Sequence, residues 1–179
     1  MLAQEHSQPQ LIVLHLMGSH PQACDRHKEN TKPCAIKRNV VLFYTMTQTD
    51  DLLRKLYDQL RNSGSSFSLV YFSDHGLAFK ERGKDVQYLA HDDKYQQNFQ
   101  VPFMVISSDD KAHRVIKARR SANDFLGFFS QWTGIKAKEI NIKYPFISEK
   151  KAGPIYITNF QLQKVDYNHL GTDIFDPKP

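Results

Sequence analysis

The sequence predicts an α/β sandwich with a mainly parallel sheet flanked by helices, and three observations lead there. Short apolar runs recur at residues 11–17, 67–72, 101–106 and 155–160, each the length of a strand. Stretches with helical spacing of apolar residues lie among them, around 40–62 and 121–134. Polar or Gly-containing turns punctuate the alternation, which is the pattern of strands crossing over through helices. The chain has 179 residues, of which 40% are hydrophobic and 24% charged, enough for one core.

The elements follow in order. A polar extension, 1–10, precedes the run 11–17, which reads as a buried strand ending at Gly18. A polar loop with Cys24 and Cys34 comes next. From 40 to 62, Val41, Tyr44, Leu52, Leu53, Leu56, Tyr57 and Leu60 trace one face of an amphipathic helix, which Asn62-Ser63-Gly64 stops. The second strand, 67–72, runs into Ser73-Asp74-His75-Gly76. A charged, irregular segment then leads to Tyr88-Leu89. The third strand, 101–106, tolerates Pro102 near its start. Ser121-Ala122-Asn123-Asp124 opens a helix whose apolar face holds Phe125, Leu126, Phe128, Phe129 and Trp132, before Gly134. A last strand covers 155–160, the body spans 11–160, and 161–179 reads as a tail frayed from Asp173 onward.

Composition excludes several classes. A chain with 12% aromatic residues, 8 Gly and 8 Pro is neither disordered nor collagen-like. No apolar run approaches the ~20 residues that cross a bilayer. The start Met1-Leu2-Ala3-Gln4-Glu5-His6 is polar and leads to no small-residue cleavage site, so a soluble chain without a targeting segment is expected. The formal net charge of +5 favours anionic partners without choosing among phosphate esters, acidic lipids and nucleic acid. The densest basic stretch, 111–120, lacks an accompanying nucleic-acid motif and reads as a solvated loop, so no nucleic-acid partner is expected. The spacing of Cys24 and Cys34 is open to a bridge or to two thiols.

Ligands of parallel sheets gather beyond the carboxyl ends of strands, and two such ends carry unusual polar groups. One is Gly18-Ser19-His20-Pro21; the other is Ser73-Asp74-His75-Gly76. Neighbouring residues of a strand face opposite ways, so Asp74 and His75 can meet one ion only after the chain has left the strand. Gly76 permits that bend. A carboxylate oxygen and an imidazole nitrogen are ordinary zinc donors. His20 and His91 are candidates to hold a phosphate or protonate a leaving oxygen. His15, inside a strand, reads as a hydrogen-bonded core residue.

Taken in order, these motifs resemble bacterial phosphoethanolamine transferases of the alkaline phosphatase/sulfatase superfamily, in particular their less characterised inner-membrane branch. Leu14-His15-Leu16-Met17-Gly18-Ser19-His20-Pro21 is similar to the family's His-x-x-Gly-Ser-His-Gly-Pro segment, although Gly is missing after His20, where Pro21 and then Gln22 follow directly. Thr49-Asp50-Asp51-Leu52-Leu53 is similar to its Tyr-Thr-Asp-x-x-Leu helix, and Ser73-Asp74-His75-Gly76 to its Ser-Asp-His-Gly. Tyr88-Leu89-Ala90-His91 and Val101-Pro102-Phe103 are similar to its Tyr-Leu-His and Val-Pro-Phe stretches, with Ala90 in the usual His place.

The resemblance implies a partial alkaline-phosphatase-like sandwich, the C-terminal portion of a periplasmic catalytic domain whose parent protein is anchored in the inner membrane. It implies zinc held by Asp74 and His75, phosphoryl contacts from His20 and His91, and a short disulfide between Cys24 and Cys34. The implied reaction moves phosphoethanolamine from phosphatidylethanolamine to lipopolysaccharide through a threonine nucleophile. No threonine precedes Thr31, so the nucleophile is expected outside this chain, which would then be inactive alone. A hydrolase of the same superfamily, of sulfatase or phosphodiesterase type, is the neighbouring reading. A non-catalytic product binding anionic lipid is the reading from another class.

Overall fold

A computed structural model describes residues 8–18, 38–80 and 88–173. The chain divides into two compact units, one formed by residues 1–71 and 103–110 and the other by 72–102 and 111–179.

In the first unit the dominant element is helix α1, Arg38–Asn62. Thr45 is buried, and Thr49, Leu53, Leu56, Tyr57 and Leu60 are partly covered, continuing one stripe along the helix. Leu52, placed on that face by the sequence, is exposed instead. The helix stops where expected. The Ser63 hydroxyl donates to the Leu60 carbonyl at 2.7 Å, and Gly64 takes φ 69°, a left-handed conformation that suits glycine. Strand β1, Ser68–Phe72, pairs with β4, Phe103–Ser107. Ser68 Oγ lies 2.8 Å from Ser107 Oγ, and Ser108 N–H donates to Phe67 O at 2.9 Å, so the start of β1 meets the end of β4.

The second unit holds two antiparallel ribbons. Strand β2, Ala78–Lys80, pairs with β3, Tyr88–Ala90, setting Ala78 opposite Ala90. Strand β5, Tyr156–Thr158, pairs with β6, Lys164–Asp166, setting Ile157 opposite Val165. Asn159 closes that second hairpin, its side-chain oxygen accepting the N–H groups of Gln161 and Gln163 at 3.1 and 2.7 Å. Helix α2, Phe125–Thr133, follows a 3-10 turn at Ala122–Asp124, whose cap Ser121 accepts from Asn123 N–H and donates to Tyr156 O. Gly134 ends α2 at φ 76°. The core beside α2 is aromatic: Phe128 is 1% exposed, its ring 5.2 Å from Phe146 and 6.0 Å from Trp132.

Three expectations are corrected. The ladders among the described residues are short and antiparallel, whereas a mainly parallel sheet was expected. A parallel neighbour needs a crossover of a dozen residues or more, and β2–β3 and β5–β6 are joined directly in sequence instead. Residues 11–17 carry no regular structure and pair with no described strand; Val13 is 80% exposed and Met17 63%. An apolar run becomes a buried strand only when neighbours supply ladder bonds and cover its faces. For the same reason His15 is exposed rather than a core residue. After residue 160 the chain forms β6 and then buries Tyr167, which is 4% exposed.

Within the basic stretch 111–120, Arg120 has an architectural task. Its Nε donates to Phe146 O at 2.6 Å and its Nη2 to Ser148 O at 2.5 Å, while its guanidinium lies 4.9 Å from the Tyr144 ring centre. It thereby ties the irregular segment after α2 to the chain before it. Arg120→Met retains the apolar stem but leaves two carbonyls without their charged donor. A loss of about 2–3 kcal/mol is expected from chemical denaturation, and an unchanged midpoint would contradict this role.

Candidate metal and phosphoryl site

Strand β1 ends at Phe72, and the next residues leave the strand direction. Ser73 Oγ donates to His75 O at 2.9 Å, and Asp74 Oδ1 accepts the His75 N–H at 3.0 Å, so the loop is tied back on itself. Gly76 N–H donates to Asn98 O at 2.7 Å. A Cβ on Gly76 would lie 2.2 Å from Gln97 O, so this close approach admits glycine alone without a backbone shift.

Asp74 and His75 consequently point to neighbouring space: Asp74 Oδ2 is 3.9 Å from His75 Nε2. Two donors 2.0–2.2 Å from a shared ion can be at most about 4.4 Å apart, so this pair fits within the reach of one ion. The Asp74 side chain is 82% exposed and that of His75 22%. His75 Nδ1 lies 2.8 Å from Gly76 O. A carbonyl can only accept, so the proton of that contact sits on Nδ1 and the neutral ring keeps its Nε2 lone pair. The donor set therefore fits zinc in kind. Among the described residues no group of three or more His, Cys, Asp or Glu side chains is gathered for a metal.

His91, just beyond β3, is brought to the same place. Its ring stacks on His75 with centres 3.9 Å apart and planes within 8°. The ring of Phe160, in the β5–β6 hairpin, stands nearly perpendicular to it with centres 4.9 Å apart. His91 as a whole is exposed, but its ring is partly shielded by the rings of His75 and Phe160. That partial burial, reinforced by His75, holds its pKa below 6.5 despite the opposing pull of Asp74, Asp92 and Asp93. His20, Cys24 and Cys34 lie outside the described residues.

Sequence reading missed two participants. Asn98 lies in the Gln96–Asn98 3-10 turn, which in sequence was an undistinguished polar stretch. Phe160 was placed in a strand, and only the Asn159 turn carries it to His91. Asp93 Oδ2 accepts Phe160 N–H at 3.0 Å and fixes that approach.

A sulfatase family model matches residues 1–135, three quarters of the chain. The chain belongs to the sulfatase family. It is 89% identical, over its whole length, to phosphoethanolamine transferase OpgE of Escherichia coli, covering 34% of that protein. It is 24% identical over 147 residues to phosphoethanolamine transferase EptA of Helicobacter pylori, covering 72% of this chain and 28% of that one. A Haemophilus influenzae protein named for the same activity is 35% identical over 88 residues, 43% of this chain and 18% of its own length. The chain thus spans about a third or less of these relatives. No solved structure matches it. No helix among the described residues of this sulfatase-family chain is long and apolar enough to cross a membrane.

The lowered pKa of His91 has a consequence that can be measured. Unfolded, the imidazole takes its proton near pH 6.5; folded, it does so at a lower pH. The stability contributed by neutral His91 is therefore fully present above pH 6.5 and is lost as the pH falls through the folded value. An NMR titration of the metal-free protein is expected to find His91 half-protonated below pH 6.5, and a midpoint at or above it would contradict the shielded geometry.

Proposed function

We propose that the chain is part of a zinc-dependent phosphoethanolamine transferase. The observation that carries this is the convergence of the Asp74 carboxylate, the His75 Nε2 and the His91 imidazole beyond the end of β1. The similarity over the full chain to a phosphoethanolamine transferase supports the choice among sulfatase-family reactions.

In this reading Asp74 and His75 hold zinc, with further ligands from residues outside the described set. Held there, the ion would supply charge neutralisation at phosphoryl oxygens and would lower the pKa of a nearby hydroxyl. His91, neutral above its lowered pKa, would take up the proton of the attacking hydroxyl and pass it on to the leaving oxygen. His20 contacts the same phosphoryl group. The nucleophile is a threonine of the protein beyond the residues assigned here. Its alkoxide displaces diacylglycerol from phosphatidylethanolamine and keeps the phosphoethanolamine group. A sugar hydroxyl or phosphate then takes that group and frees the threonine. Lipopolysaccharide, as lipid A or core, is the acceptor of this proposal, and the periplasmic face of the inner membrane is its place. Cys24 and Cys34 form a disulfide there, which that oxidising compartment permits.

Hydrolysis by a sulfatase-type enzyme shares the covalent stage and differs only in that water attacks it. Host cells fed labelled ethanolamine separate the two. With the intact protein, label is expected to move from phospholipid to the saccharide-bearing envelope fraction. Asp74→Asn and His75→Ala are each expected to reduce that transfer by at least about 10²-fold, with loss of bound zinc in elemental analysis. Release of free ethanolamine phosphate alone would favour the hydrolase, and unchanged transfer in both variants would overturn the site.

A further inference from the structure

We propose that Asn98 is a positioning residue that holds His75 and His91 in their stacked arrangement. Asn98 is 0% exposed and makes two contacts that reach the two histidine-bearing segments separately. Its main-chain carbonyl accepts the N–H of Gly76, immediately after His75, at 2.7 Å. Its side-chain Nδ2 donates to the carbonyl of Ala90, immediately before His91, at 3.2 Å. One buried residue therefore spans the gap between two segments, and the rings that flank its contacts lie 3.9 Å apart.

The turn that carries Asn98 is itself fixed. Asn98 N–H donates to Tyr95 O at 3.1 Å, closing the 3-10 turn. Gln96 N–H donates to Gly171 O at 2.8 Å, and Gly171 N–H donates to Lys94 O at 3.0 Å. The Gln97 amide grips the main chain of Asp173 from both sides, donating to its carbonyl and accepting its N–H. Asp173 in turn accepts the N–H of Phe79 in β2 through Oδ2. The support for the histidine pair thus includes residues 171–173, far from it in sequence.

The side-chain oxygen of Asn98 argues that the amide is kept for its donor. Asn98 Oδ1 is buried and has no hydrogen-bond partner among the described residues. A leucine would fill a similar volume without that unsatisfied acceptor, so packing alone does not account for an amide here. The Nδ2 contact to Ala90 does. A displacement of about 1 Å in a positioned group is enough to slow a reaction strongly, which gives such a tie catalytic weight without contact with substrate. The ring geometry stands by itself; only its effect on turnover rests on the phosphoryl-transfer reading.

The test uses the intact protein with labelled histidines and two variants. Asn98→Asp keeps the shape but replaces the donor with an acceptor; Asn98→Leu keeps the bulk and removes both polar atoms. In each, the mutual ring-current shielding of the His75 and His91 imidazole protons is expected to diminish, while hydrogen exchange at Phe128 is unchanged. Turnover is expected to fall about 10- to 100-fold, with KM for the phospholipid donor little altered. Unchanged imidazole resonances in a folded variant would overturn the proposal. If neither variant folds, hydrogen exchange in the unaltered protein decides: the Gly76 N–H and the Asn98 side-chain amide are expected to exchange slowly, and fast exchange at either overturns it. If the unaltered protein neither binds zinc nor transfers phosphoethanolamine, the functional reading fails while the ring shifts still judge the positioning.

Discussion

The site depends on the approach of Gly76 to the turn at residues 96–98. The hydrogen bond from Gly76 N–H to Asn98 O is short, and no Cβ fits between Gly76 and Gln97 O. That contact turns the chain out of the strand direction as soon as β1 has ended. Consecutive residues, which a strand would send to opposite faces, can then share one space. The adjacency of the Asp74 carboxylate and the His75 Nε2 follows from that bend, and so does the accessibility of His75 to a second imidazole. The requirement for glycine is a matter of room rather than of positive φ, and it reaches the site through backbone atoms alone.

The surroundings set the chemistry of each group differently. Asp74 is open to water and keeps its carboxylate oxygens available. His75 spends one ring nitrogen on Gly76 O, which directs the other outward. His91 is shielded by rings and so favours its neutral form, despite three carboxylates in its vicinity. In the proposed reaction the Asp74–His75 pair would hold the ion that stabilises charge, and neutral His91 beside it would relay the proton. Aromatic packing around Phe128 and the Arg120 ties give order to the rest of the second unit.

Much of this was legible in the sequence where local chemistry decides. Helix α1 was visible because apolar residues recur at helical spacing, with Leu53, Leu56, Tyr57 and Leu60 on its covered side, and its end because Ser63 and Gly64 are stop residues. Ser121 announced the start of the second helix, and Gly134 its end. The Asp-His-Gly bend was visible as chemistry at a strand end. What the sequence could not show is pairing. The run 11–17 looks like a strand by composition, but a strand exists only through its neighbours, and its exposure in the structure reflects their absence among the described strands. The antiparallel ribbons were hidden because their strands are only three residues long, too short for a period to register. Asn98 and Phe160 were hidden for a related reason: each acts through a contact with a residue distant in sequence or in another element, and neither residue type is unusual in a loop.

Binding of one divalent cation by Asp74 and His75 can be read from anomalous diffraction at the zinc edge on crystals of the intact protein. A single strong peak is expected about 2.0–2.2 Å from an Asp74 carboxylate oxygen and from His75 Nε2. A zinc-saturated crystal with its peak elsewhere, or with none at this pair, would contradict it.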